Sequence, residues 1–348
     1  MGRVDFQAWK IINNIPFGAC PISLFFDHIC KAPPKLFLMR TLKFLLLCLL
    51  AHSLAFAQEI PYYTVVAKAG DGIFSLLRKE GLDPVKHYGE FLELNAAVLG
   101  GNSLLKVGAG YKVPEADDNY RNTGLLIKTD QGGERPIFDL ELAGMSPKSE
   151  NLKDAVYYLI NENEGRADTG FMGDIVKALA AELMIHGAKV YVLGTSDSPV
   201  DGALAQKETQ RLGGYVDAVN KRFLQNSGKY QRVLLIRSRE LDGSLPIKVA
   251  LYHDNKNEKG QRLALNIQNV LKRNSVSQAT VTARDMVLRD KGGLYLSNNI
   301  LPAMSLLTLE NTGSRSDGNI VVGPHRERFA GWISHGIMND YAELEIED

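Results

Sequence analysis

The 348-residue chain is long enough for two ordinary domains, and its 45% hydrophobic and 23% charged residues are typical of a globular protein. Forty lysines and arginines balance forty aspartates and glutamates. The chain therefore lacks the excess of clustered cations with which proteins bind nucleic acid. One strongly apolar run lies near the start, which argues against a protein with several membrane-spanning helices.

The apolar run is typical of a secretory signal peptide that starts at the second methionine. The segment Met39–Lys43 carries two cations, Phe44–Leu50 is uninterrupted by polar residues, and Ala55–Ala57 supplies the small residues of a cleavage site. We therefore expect a signal peptide over 39–57 and interpret residues 1–38 as a non-native upstream extension. The run is too short for a stable transmembrane anchor, which needs about 20 apolar residues.

Cysteine usage fits an exported protein. All three cysteines (Cys20, Cys30 and Cys48) precede the expected cleavage site. The mature chain would hold neither a disulfide framework nor a cysteine-based zinc site.

Residues 58–116 form a small module with the predicted order strand, helix, helix, strand. Tyr63–Val66 is rich in β-formers, and Gly70-Asp71-Gly72 is a turn that starts a helix with apolar residues at 73, 76 and 77. Gly81–Pro84 breaks this helix, a second helix runs to Asn95, and a short strand closes the module at Tyr111–Pro114.

These residues resemble a LysM domain, a carbohydrate-binding module of cell-wall proteins. The resemblance implies binding to the N-acetylglucosamine-containing glycan of peptidoglycan, in a groove between the loops Gly70–Ile73 and Ala96–Leu104. The candidate glycan-binding residues are Gly70, Asp71, Gly72, Ile73, Asn95, Leu99 and Asn102. The alternative is that Gly70 and Asp71 only shape the turn and cap the helix.

A polar linker is predicted over 117–133, in which Leu125–Ile127 has the pattern of an edge strand. The remainder, 134–348, alternates helices and short apolar strands, which predicts an α/β domain with a mostly parallel sheet between helices. The predicted elements are a strand at 136–140, a helix around Met172–Leu183, a strand at 189–193, a helix at 205–224, strands at 232–236 and 247–252, a helix around Leu263–Leu271, a strand at 306–309 and a last helix around Phe329–Ile337.

The order of these elements resembles the zinc-dependent N-acetylmuramoyl-L-alanine amidase domain, a common partner of LysM modules. His186–Val192 is similar to that family's first helix end and the strand after it, and Tyr215–Asn220 to the end of its next helix. Pro302-Ala303 before Glu310 resembles its final strand, and Ala330, Gly336 and Ile337 resemble its closing helix.

The resemblance implies a zinc site whose ligands this chain lacks. The family uses a histidine in a D-P-G-H-G-G turn, a glutamate on the first helix and a histidine at an S-I-H-A-N strand end. Here the turn reads Asp139–Gly144, Asp168 lies near the glutamate's place, and the strand end reads Ile236–Arg239, all without histidine. Only Glu310 stands at the family's catalytic glutamate, and a carboxylate alone does not replace metal-activated water.

A rebuilt metal site from His253, Glu310 and His325 is one alternative, since His253 directly follows a predicted strand. In the other interpretation both histidines are loop or surface residues and Glu310 pairs with Arg237 or Arg239. His87 and His186 are expected to face solvent at helix ends.

Three hypotheses follow for an exported, periplasmic or extracellular, cell-wall-associated protein. In the first, LysM holds peptidoglycan and a non-hydrolytic amidase-like domain binds stem peptides or a protein partner of unknown identity. In the second, the domain is an active amidase that uses zinc in a non-standard site. In the third, LysM anchors an unrelated α/β domain.

Overall fold

A computed structural model describes residues 60–128, 133–163, 169–194, 204–239, 241, 243–278, 280–311 and 318–343. The expected upstream extension, signal peptide and all three cysteines lie outside these ranges. No helix in the described ranges is both long enough and apolar enough to cross a membrane.

The small module is a two-stranded antiparallel sheet packed against three helices. Its elements are β1 (Tyr62–Val66), α1 (Ile73–Lys79), α2 (Pro84–Leu94), α3 (Ala96–Leu99) and β2 (Gly110–Pro114). Asp83 caps α2 by accepting a hydrogen bond from the N–H of Val85 at 3.0 Å, and Pro84 occupies the first turn, where its missing N–H costs nothing. Leu76, Leu77 and Phe91 fill the core. The expected order of two strands around two helices is present, with α3 as an addition.

The rest of the described chain builds one eight-stranded sheet. Its elements are α4 (Tyr120–Thr123), β3 (Gly124–Ile127), β4 (Glu134–Pro136), β5 (Ala155–Asn163), α5 (Thr169–Ile185), β6 (Lys189–Leu193), α6 (Leu204–Gln225), β7 (Tyr230–Arg239), β8 (Ile247–His253), α7 (Glu258–Arg273), α8 (Lys291–Asn299), β9 (Ala303–Asn311), β10 (Ile320–Val322) and α9 (Arg326–Ala342). The strand order is β10-β8-β9-β7-β5-β6-β3-β4. The run β9-β7-β5-β6-β3 is parallel, which confirms the predicted α/β class with a mostly parallel sheet.

Helices cover both faces of this sheet because successive strand residues point to opposite sides. On one face Tyr157 and Leu159 of β5 belong to a core shared with α5, α7 and α9. On the other face Tyr158 and Ile160 belong to a second core shared with α6 and α8. The layering places the central strands between two helical layers.

Three sequence expectations differ from the observed elements. The central strand β5 was not predicted, because Val156–Ile160 is buried on both faces and shows no alternation. The strand expected at 136–140 ends at Pro136, and a 3₁₀ helix follows at Leu140–Gly144. The segment 117–133, expected to be a linker, contributes β3, which hydrogen-bonds to β6 as an inner strand of the sheet.

Candidate functional site

The carboxyl ends of β5, β7 and β9 meet at one edge of the sheet because these strands are parallel. The register pairs Glu162 with Arg237 and Arg239 with Glu310. Each of the four residues lies an even number of positions after a strand residue that packs against α6 or α8. Because side chains alternate between the two faces of a strand, all four lie on the face covered by these helices. In open parallel sheets this edge is where ligand sites form.

Arg237 is the centre of an ion-pair network at this edge. Its Nε and Nη2 donate to Oε2 of Glu162 at 3.0 and 2.8 Å. Its Nη1 lies 2.8 Å from Oδ2 of Asp290, and Nη1 of Arg211 lies 3.0 Å from the other oxygen of Glu162. Glu162 is 3% exposed, so its charge is held by two guanidinium groups rather than by water.

Asp290 joins this network to the start of α8. Its carboxylate also accepts a hydrogen bond from the N–H of Gly293 at 2.5 Å, which makes it the helix cap. Burial would raise the pKa of Asp290, but the hydrogen bonds from Arg237 and Gly293 hold that pKa below its usual value. Burial would lower the pKa of Arg237, but the carboxylates of Glu162 and Asp290 raise it. Both groups are therefore charged at neutral pH.

Gly194 allows the backbone after β6 to lie close to the carboxyl end of β5. Gly194 follows β6 with φ +79°, and a Cβ there would lie 2.2 Å from the carbonyl oxygen of Asn161. Any side chain at 194 would push the loop away from the strand end that carries Glu162.

A cavity of about 500 Å³ opens beside the network, and we call it the edge pocket. Its charged side chains come from β7, from β9 and from the segment 285–290. They are Arg237, Arg239, Asp285, Arg289, Asp290 and Glu310. Tyr252, Leu288 and Leu306 supply apolar surface. The volume is in the range of small-molecule sites.

Glu310, the candidate catalytic residue, lines this pocket. Its side chain is 41% exposed, and Oε2 lies 3.7 Å from Nζ of Lys248, the residue opposite it on β8. The expected partner was Arg237 or Arg239. Arg237 instead binds Glu162 and Asp290, while Arg239 is the register neighbour of Glu310.

The residues that the structure describes at this edge do not fit a catalytic zinc ion. Within the described ranges, no three His, Cys, Asp or Glu side chains are grouped so that they could hold a metal. Glu162 and Asp290 converge, but the guanidinium of Arg237 lies between them and supplies the positive charge. A hydrolytic zinc needs three protein ligands and an open position, and this arrangement offers neither.

The segment compared with the family's first ligand turn lies elsewhere. The 3₁₀ helix at 140–144 contacts α1 of the small module, and Asp139 lies 3.2 Å from Arg121. The strand that precedes α5 is β5, so the equivalent turn follows Asn163. That turn, with Asp168, lies outside the described residues.

The structure does not bring His253, Glu310 and His325 together. Because β8 is antiparallel to β9, His253 faces Ser305 whereas Lys248 faces Glu310. This places His253 at the opposite edge, about 17 Å from Glu310 at roughly 3.4 Å per residue. His253 is 3% exposed and its Nδ1 contacts the carbonyl of Asp254 at 3.0 Å. His325 is exposed at the start of α9.

The seven candidate glycan-binding residues divide into exposed and buried sets. Gly70, Gly72 and Asn102 are exposed. The Asp71 carboxylate accepts the N–H of Lys68 at 2.7 Å and pairs with Lys79, which fixes the first loop. The remaining three, Ile73, Asn95 and Leu99, are at most 8% exposed.

Asn95 has a structural role that accounts for its burial. Its amide donates to the carbonyls of Phe91 and Lys112 at 2.8 and 2.7 Å and accepts the N–H of Lys112 at 2.8 Å. Asn95 therefore ties α2 to β2 and has no side-chain atom left for a sugar. Ile73 and Leu99 are buried in the core of the small module. The exposed apolar residues beside the two loops are Phe74, Val98 and Leu104.

His87 was expected in solvent but is 8% exposed. Its Nδ1 lies 2.9 Å from Glu90 and its Nε2 lies 3.0 Å from Asp118. The hydrogen bond to Asp118, aided by Glu90, raises the pKa of His87 to about 9 against the opposing effect of burial. Lys86 extends this cluster to Glu150, 3.2 Å away, next to the large sheet.

Sequence reasoning missed Glu162, Arg211 and Asp290. One signal was available for Glu162, because it lies two residues after the apolar run 156–160. Arg211 and Asp290 lie on other elements, and only the fold brings them to Glu162.

Comparison with known proteins identifies no family for the chain. No protein-family profile matches it, and no curated protein matches it. Several solved structures are similar, among them the following three. The CwlD amidase from Clostridioides difficile, in complex with the GerS lipoprotein, is 16% identical over 54% of this chain and 98% of that one, with a TM-score of 0.37. Cwp6 from Clostridium difficile is 14% identical over 59% and 30%, with a TM-score of 0.33. A putative carboxypeptidase A from Shewanella denitrificans is 13% identical over 74% and 69%, with a TM-score of 0.39. At these scores the similarities carry no argument about activity.

Proposed function

We propose that this protein is an exported cell-envelope protein that binds peptidoglycan without cutting it. Residues 58–116 hold N-acetylglucosamine-containing glycan as a LysM module, and residues 134–348 form an amidase-like domain that does not hydrolyse. The observation that carries the second part is the Arg237 guanidinium, bound between Glu162 and Asp290 at the sheet edge where a hydrolase would need metal ligands.

The first part is supported by the construction of the small module. The side chains of Asp71 and Asn95 hydrogen-bond to backbone groups of Lys68 and Lys112 and so hold the backbone in place. The loops 70–73 and 96–104 thereby present Phe74, Val98 and Leu104 at 46, 50 and 73% exposure. Exposed apolar side chains beside polar backbone are suited to stacking and packing against sugar rings.

The test is co-sedimentation of the purified protein with peptidoglycan sacculi, combined with assay of the supernatant for released peptides. We expect binding, no release above a buffer control, and substoichiometric zinc by mass spectrometry. Peptide release with about one zinc per chain would instead support an active amidase with ligands outside the described residues.

A matched pair of variants locates the binding surface. Leu104→Asp alters the proposed groove, and Val276→Asp alters the large domain at the same 73% exposure. We expect at least about a tenfold loss of sacculus affinity for Leu104→Asp and no change for Val276→Asp. Equal behaviour of the two variants would contradict the assignment of the groove.

A further inference from the structure

We propose that the edge pocket binds a short peptide that carries a free carboxylate and a free amino group. Its carboxylate lies against Arg239 and Arg289, and its ammonium group lies against Asp285 and Glu310. The proposal rests on the proposed function only for the source of the peptide, which would be a stem peptide already released from peptidoglycan, because an attached stem has its amino terminus in an amide bond.

The arrangement of charge on the two walls supports a ligand with both signs. The strand wall places Arg239 beside Glu310 in the sheet register. The loop wall carries Arg289 close enough to Asp285 to lower the pKa of that carboxyl, an effect led by hydrogen bonds from Thr282. Each wall therefore presents one cation and one anion. A polyanion such as a nucleotide would meet carboxylates on both walls, which disfavours it.

Glu310 and Arg289 are available for exchange with a ligand, whereas the inner charge of Arg237 is not. Glu310 and Lys248 are 3.7 Å apart and about 40% exposed, so their pairing is weak. Arg289 is exposed and makes no ion pair with any residue that the structure describes. Arg237 is 12% exposed and bound to two carboxylates, so it is part of the frame.

The loop wall is held in place before any ligand arrives. The N–H of Leu288 donates to the carbonyl of His253 at 2.9 Å, and Val287 forms a bridge with the same residue. Asp290 is fixed by Arg237 and by capping α8. Because the pocket is preformed, little free energy is spent on ordering it during binding. The apolar surface of Tyr252 and Leu306 suits the aliphatic part of a small peptide.

The test measures binding of tri-alanine to the full chain by calorimetry, with the peptide's ends free, N-acetylated or C-amidated. We expect a Kd of about 1 mM or tighter for the free peptide and at least about a tenfold loss on capping either end. No binding at about 10 mM, or equal binding of free and capped peptides, would overturn the proposal.

Two variants assign the ends. In Arg289→Ala, amidating the peptide should weaken binding less than it does in the wild type, because only Arg239 then faces the carboxylate. In Glu310→Gln, acetylation should likewise weaken binding less, because only Asp285 then faces the ammonium group. Arg273→Ala and Glu258→Gln, both at exposed positions of α7, are the matched controls and should retain both capping penalties. Capping penalties in Arg289→Ala and Glu310→Gln as large as those in the wild type would refute the assignment.

Sacculus sedimentation separates this inference from the proposed function. If the protein sediments with sacculi but ignores tri-alanine, the pocket inference fails and peptidoglycan binding stands. If tri-alanine binds with both capping penalties but sacculi do not, the pocket inference stands and the proposed function fails.

Discussion

Both edges of the large sheet carry a cluster of arginines and carboxylates, but the two clusters differ in their access to water. At the amino edge Asp340 is fully buried, accepts from Arg262 Nε at 2.7 Å and from the Tyr230 hydroxyl, and lies 3.4 Å from Arg232. At the carboxyl edge the network runs from buried Glu162 outward to Asp290 and Arg211, whose side chains are 40 and 43% exposed.

The difference in exposure indicates which of the two clusters a ligand can reach. The amino-edge cluster fixes α9 to β7 and α7, and its carboxylate Asp340 is fully buried, so we expect the cluster to act on stability. The carboxyl-edge cluster borders a cavity and changes from buried frame to exposed rim. Similar side chains thus form a buried structural ion-pair cluster at one edge and a candidate binding site at the other.

The largest expected effect is at the amino edge. Asp340→Ala leaves Arg232 and Arg262 without their shared carboxylate, and we expect a loss of about 3–5 kcal/mol in the free energy of unfolding. Urea unfolding would measure it. Asp217→Ala, at an exposed position of α6, is the control and should change the free energy by less than about 0.5 kcal/mol. A similarly small change for Asp340→Ala would contradict a stabilising role of the Asp340 cluster.

The next effect is at the carboxyl edge. Glu162→Gln should cost about 2 kcal/mol, less than the loss of Asp340, because Arg211 can turn to solvent and Asp290 still pairs with Arg237. The same unfolding experiment compares the two edges directly. A larger cost for Glu162→Gln than for Asp340→Ala would reverse the comparison.

A smaller effect depends on pH and extends the comparison to the cluster around His87. The folded pKa of about 9 is above the ordinary 6.5, so the contribution is complete below about pH 6.5 and is lost as the pH rises through about 9. We expect about 1 kcal/mol, since Glu90 and Asp118 are nearly half exposed. Unfolding of the wild type and of His87→Gln across this range measures it, and an identical pH dependence in both would exclude His87.

The smallest effect on stability is expected at the rim of the edge pocket. Glu310→Gln should change the free energy of unfolding by less than about 0.5 kcal/mol, because its pair with Lys248 is exposed. Lys248→Ala should behave in the same way. A cost comparable to that of Glu162→Gln would mean that Glu310 belongs to the frame and not to the rim.

Most of the long helices and strands were predictable because local patterns encode them, whereas α8 and the short helices α3 and α4 were not predicted. Lys189–Leu193 was predicted to the residue, and the helix through Phe329, Ile333 and Ile337 appears as α9. The central strand β5 was missed because burial on both faces removes the alternation by which strands are recognised. Because β5 was not predicted, Glu162 near its carboxyl end was not recognised as a site residue.

By itself the sequence determined the α/β class, the two-strand small module and the lack of histidine ligands at the compared positions, because these follow from periodicity, turn residues and composition. Only the tertiary structure decided which residues share an edge. The direction of β8 sends His253 away from Glu310, and the parallel register brings Arg237 beside Glu162. Strand direction and register arise from pairing between distant segments, which no local pattern specifies.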